Sequence, residues 1–135
     1  MMKRYIPLLV ACVIIILASA SICVAQHESL QTRAENLGFR LEKSNSDFNF
    51  FRFDVSQHSD FRQSMLITYM EQDTLFAKVN FNRDNNLIWL KSDNTVILNI
   101  VYAKILDIVT LVHSIDELWS EEQKEYVLEK FNLFY

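Results

Sequence analysis

The chain has 135 residues and a formal net charge of −4; half of its residues are hydrophobic and 13% aromatic, with one glycine, one proline and two cysteines. That apolar content excludes a disordered chain, and the scarcity of glycine and proline excludes collagen-like polymers and any Gly-rich phosphate loop. The acidic balance argues against nucleic acid as a partner.

Lys3 and Arg4 are the only charges before Glu28, and an uncharged run from Tyr5 to His27 follows them. A basic start, an apolar centre and a small-residue exit are the parts of a secretory signal peptide, with cleavage expected after Ala25 of Cys23-Val24-Ala25. The run is also about the ~20 residues that span a bilayer, so an uncleaved anchor is the alternative. Either way the remaining chain is expected outside the cytoplasm, periplasmic or secreted, touching membrane only through this segment. Cleavage removes Lys3, Arg4 and no acid, so the charge of residues 26–135 falls to −6. Cys12 and Cys23 leave with the leader, so the exported domain is expected to be free of disulfides.

Within 26–135 the sequence predicts one α+β domain. Ser29–Leu37 reads as a helix, with Leu30, Ala34 and Leu37 on one face and Gly38 as its C-terminal cap. Phe39 then sits where it would pack back on the last turn. Phe48–Val55 is a strand whose alternation shifts phase, Phe48 and Phe50 on one parity and Phe51, Phe53 and Val55 on the other. A bulge near Phe50–Phe51, or burial of both faces, would account for that. Met65–Met70 reads as a further strand. In Thr74–Phe81, Leu75, Ala77, Val79 and Phe81 alternate against Thr74, Lys78 and Asn80. Leu87–Lys91 and Thr95–Tyr102 complete the strands, although the last apolar run also suits an upstream extension of the next helix. Asn- and Asp-rich links such as Asn82–Asn86 supply turns in a glycine-poor chain.

From Lys104 to Trp119 the apolar period becomes helical. Ser120 with Gln123 forms a capping box for a last helix, which has Glu121 and Glu122 in its first turn. The expected fold is an antiparallel β-meander of four to five strands, flanked by an N-terminal helix and two C-terminal helices packed on one face. A parallel arrangement is disfavoured because no helix is read between the strands.

Chemistry is sparsely marked. His58-Ser59-Asp60 holds the residue types of a catalytic triad, but neighbours in sequence seldom face one another correctly, so it reads as a polar loop. His113 has Asp116 and Glu117 at i+3 and i+4, a possible pair of metal ligands, with a solvated helix edge as the simpler reading. Arg40, Lys43, Arg52 and Arg62 read as scattered among acids, without the clustering that nucleic acid requires. No catalytic residue, metal ligand or cofactor is assigned. The function expected is non-catalytic binding of a protein or small ligand outside the cytoplasm, with Phe48, Phe51 and Trp89 as candidate contacts if one sheet face is open. The alternatives are a small hydrolase or metal-dependent enzyme using His58 or His113 with nearby carboxylates, and a subunit anchored by the N-terminal segment.

Overall fold

The computed structural model describes residues 28–134; the leader and cleavage site expected from the sequence lie outside the described residues. Among the described residues, four antiparallel strands form one sheet, accompanied by four helices, an α+β fold. In chain order the elements are α1 (Leu30–Asn36), β1 (Phe39–Ser44), β2 (Phe48–Asp54), α2 (Asp60–Gln72), β3 (Phe76–Asn82), β4 (Leu87–Asp93), α3 (Leu98–Leu118) and α4 (Glu121–Phe134).

Helix α1 starts at Ser29, whose Oγ accepts from the Thr32 amide at 3.1 Å. It ends at Gly38, which adopts φ +97° and donates its amide to the Glu35 carbonyl. That conformation suits glycine, and a Cβ there would lie 2.7 Å from the Asp54 carbonyl oxygen. The close approach is used, because the Asp54 amide donates to the Gly38 carbonyl and begins the β1–β2 pairing.

Strand β1 has no counterpart in the sequence reading. It carries only two apolar residues, Phe39 and Leu41, before its register shifts between Leu41 and Lys43. A bulge on an edge strand erases the alternation that would mark it. The irregularity near Phe50–Phe51 therefore sits on the neighbouring strand. β2 itself alternates regularly, with Asn49, Phe51 and Phe53 buried and Phe48, Phe50 and Arg52 half-buried on the other face.

The strand expected at Met65–Met70 is the middle of helix α2. Ser59 caps this helix, and Phe61, Gln63, Ser64, Met65, Leu66, Ile67 and Met70 are all buried. A helix buried nearly all round loses its polar stripe, so a short apolar run in it resembles a strand. Buried Gln63 is satisfied by donating to the carbonyls of Val55 and His58. A helix thus does interrupt the strands, contrary to expectation, yet the sheet stays antiparallel. β1–β2 and β3–β4 are hairpins, and α2 carries the chain far enough for β4 to pair with β2, giving the order β1-β2-β4-β3 rather than that of a simple meander.

A second register shift, between Phe76 and Lys78, corrects the parity of β3. Phe76 is buried and Ala77 exposed, while Val79 and Phe81 remain on the core side. Asn86 closes the β3–β4 turn at φ +52°, the role foreseen for asparagine there.

Thr95–Tyr102 is not a strand: helix α3 begins at Leu98, the upstream extension that was the alternative. This helix is long and apolar enough to cross a membrane by length and composition. Here it lays Val101, Tyr102, Ile105, Ile108, Val109 and Val112 into the core. The Phe39 ring stacks on Phe51 at 4.9 Å and meets Tyr102 edge-on at 6.0 Å, which ties β1, β2 and α3 together. Each such pair adds about 0.5–1.5 kcal/mol beyond area burial. The capping box of α4 forms as expected, Ser120 N to Gln123 Oε1 at 2.9 Å and Gln123 N to Ser120 Oγ at 3.2 Å. Val127 and Phe131 pack it against the core.

Candidate functional site

Two places bring together residues that the sequence reading kept apart. The first is a corner between the start of α2 and the end of α3. The rings of His58 and His113 lie 5.7 Å apart, and Phe53 meets His58 edge-on at 6.3 Å. Burial lowers the His58 pKa first, and the nearby charges of His113 and Arg62 lower it further. The buried Nε2 atom of His113 has no hydrogen-bond partner among the described residues.

Asp116, the carboxylate at i+3 from His113, is already engaged. Asp116 accepts from Arg62 at one oxygen and from Lys124 at the other, the latter at 2.7 Å. The hydrogen bond from Lys124 is the largest cause that holds the Asp116 carboxyl below its ordinary value, followed by Arg62. Asp116 thus ties α2, α3 and α4 together and does not orient a histidine. Ser59 is the N-cap of α2, accepting from the Arg62 amide, and Asp60 is in its first turn. His58-Ser59-Asp60 is a helix start. Among the described residues, no group of three or more histidines, cysteines and acids could hold a metal ion.

The second place is the sheet face turned away from the helices. Because the core takes Phe51, Phe53, Ile88 and Leu90, their neighbours in each strand point outward. The registers align these outward residues in two rows across the four strands. One row reads Arg40, Arg52, Trp89, Asn80; the next reads Lys43, Phe50, Lys91, Lys78. Rows lie about 7 Å apart along the strands, and neighbours within a row about 5 Å apart.

Five cations therefore share one face of a net-acidic protein. Among the described residues, only Arg52 of the five has an ion-pair partner, Glu42 at 2.9 Å. The acids at the strand ends are turned to backbone: Asp54 accepts from the Ser56 amide, and Asp93 accepts from the amide and hydroxyl of Thr95. These bonds hold both carboxyls below their ordinary pKa. The aromatics differ in access. Lys91 Nζ sits 3.8 Å above the Phe48 ring and Lys43 Nζ 5.0 Å above Phe50. Trp89 is 42% exposed, and a shallow depression of about 210 Å³ beside it is lined by Phe50, Lys78, Asn80 and Lys91.

Of the candidate contacts, Trp89 and Phe48 lie on this open face. Phe51 is fully buried against Phe39 and Tyr102 and is removed from the set, because its parity points into the core. Sequence reasoning missed Phe50, Asn80, Lys78 and Lys91. Their alternation was legible strand by strand, but their assembly needed β1 and the order of the strands. The same holds for Arg40, Lys43 and Arg52, which are aligned on one face rather than scattered.

No protein-family model matches the chain, no curated protein matches it in sequence, and no solved structure matches it.

Proposed function

We propose that the protein is a small exported, non-catalytic binding protein whose ligand or partner docks on the open face of the sheet. The observation that carries this reading is the surface made by half-buried Phe48 and Phe50 and exposed Trp89 among five cations. Apolar rings left at the surface and rimmed by polar groups mark binding sites, because covering them recovers hydrophobic free energy that the isolated fold leaves unused. Export rests on the basic, apolar and small-residue order of residues 1–25.

The enzyme reading draws support from one observation, the juxtaposition of His58 and His113. Asp116 is not available to set a tautomer of His113, since it is committed to Arg62 and Lys124. Binding is therefore the better supported function.

The test uses the full chain, expressed with a benzophenone amino acid in place of Asn80 on the open face or of Glu125 on α4. After fractionation and irradiation, the expected result is a soluble exported protein beginning at Gln26, with adducts from position 80 and none from position 125. A chain that keeps its leader in the membrane fraction would overturn export in favour of the anchored form. Equal adducts at both positions would overturn the open face as the binding surface.

A further inference from the structure

We infer that the open sheet face binds an acidic glycan, a polysaccharide bearing carboxylate or sulfate groups, with one sugar ring on Trp89 and its acid groups on Lys78 and Lys91. This rests on the reading that the open face is the binding surface and adds the chemistry of its occupant.

The first argument is electrostatic. Lys78 and Lys91 are direct partners across β3 and β4, and Arg40 and Arg52 are direct partners across β1 and β2. Like charges placed directly opposite destabilise a sheet. Glu42 offsets the arginine pair through Arg52, whereas neither lysine has a carboxylate partner among the described residues. An anion that draws both side chains to it, Lys91 turning from the Phe48 ring, would offset these like charges and gain two charge-assisted hydrogen bonds. The same charges disfavour a second copy docking face to face, since five cations would meet five.

The second argument is the single free ring. Phe48 and Phe50 already carry lysine ammonium groups over their faces. A single-stranded nucleic acid stacks successive bases on successive uncovered rings. Of the three aromatics on this face, only Trp89 lacks such a cover among the described residues, so the site accommodates one ring. The C–H face of a sugar packs on an indole, and the Asn80 amide beside it both donates and accepts, as ring hydroxyls require. The third argument is size. The depression of about 210 Å³ is smaller than the ~300–1,000 Å³ of sites that enclose a whole small ligand. It suits one unit of a longer chain whose neighbouring acid groups reach Arg40, Arg52 and Lys43 along the two rows.

The experiment titrates the purified protein with polygalacturonate, heparin, neutral dextran and oligo-thymidylate, read by calorimetry and by tryptophan fluorescence at low and high salt. Binding of polygalacturonate or heparin but not dextran is expected, weakening as salt screens the cations. Lys78→Glu, which sets a like charge against the ligand, is expected to weaken binding by about tenfold or more while the unfolding midpoint is held or raised. Lys91→Gln and Trp89→Ala are expected to weaken it as well. Oligo-thymidylate bound as tightly as either glycan would overturn the inference, as would the failure of both acidic glycans to bind. Adducts from position 80 without acidic-glycan binding would leave the open face standing and remove the glycan. Glycan binding indifferent to all three substitutions would remove the open face itself.

Discussion

His58 and His113, separated by 55 positions in sequence, stand ring to ring at 5.7 Å where the start of α2 meets α3. Phe53 closes the pair from the sheet side, and Arg62 adds a fixed positive charge. A proton placed on His58 therefore enters a half-buried site that already repels it.

The consequence for stability has a definite sign. The folded pKa of His58 lies below the ordinary 6.5, so between the two values the unfolded chain binds more protons. The contribution is fully present above pH 6.5 and is lost as pH falls through the folded value. Urea unfolding across pH 8 to 5 should show a declining midpoint in the wild type and a flatter profile in His58→Gln. A second decline is expected below pH 3.8 from Asp54, Asp93 and Asp116, whose folded pKa values are also lowered. An unchanged profile in His58→Gln above pH 5 would show that another group governs the upper window.

Neighbouring phenylalanines of β2 should respond very differently to truncation. Phe51 is fully buried and stacked on Phe39, so Phe51→Ala should cost about 3–5 kcal/mol, enough to unfold a marginal protein. Phe50 is half-buried under Lys43, so Phe50→Ala should cost about 1 kcal/mol, chiefly a cation–π contact and partial burial. Chemical denaturation of the two variants checks the contrast; equal losses would mean that the face of Phe50 is covered in the native protein.

Gly38→Ala should destabilise by more than about 1 kcal/mol, because the residue sits at φ +97° and the added methyl meets the Asp54 carbonyl. Hydrogen exchange should show the loss concentrated in the β1–β2 pairing, where the Asp54 amide depends on Gly38. Protection that falls evenly across all strands would argue against this local coupling.

Lys78→Glu turns a like-charge cross-strand partner of Lys91 into an opposite one. Thermal unfolding should show stability unchanged or raised, by roughly 0.2–1 kcal/mol and toward the lower figure because Lys78 is exposed. A clear loss would mean that Lys78 holds a stabilising contact of its own.

The capping chemistry was legible because it is local. Gly38 and the Ser120–Gln123 box act within one turn of backbone, and each stands where the residues predict. Asn86 is a turn former for the same reason. The errors fell where periodicity fails as a signal. Met65–Met70 lost its helical stripe because α2 is enclosed by other elements, and β1 lost its alternation to a bulge. Thr95–Tyr102 offered an apolar run compatible with either state, and its placement under the sheet decided for helix.

By itself the sequence determined the α+β class, the Gly38 end of α1 and the capped start of α4, all consequences of short-range sterics and local hydrogen bonding. It also placed Phe48 and Phe50 on one face of β2, opposite to Phe51 and Phe53. Only the tertiary structure decided which strands are neighbours, and hence that Arg40, Lys43, Arg52, Lys78 and Lys91 come to one surface with Trp89. Strand order depends on how α2 packs and where β4 inserts, a balance of burial across the whole fold that no local window contains. The charges that look scattered along the chain are adjacent because a sheet joins distant residues at about 5 Å spacing.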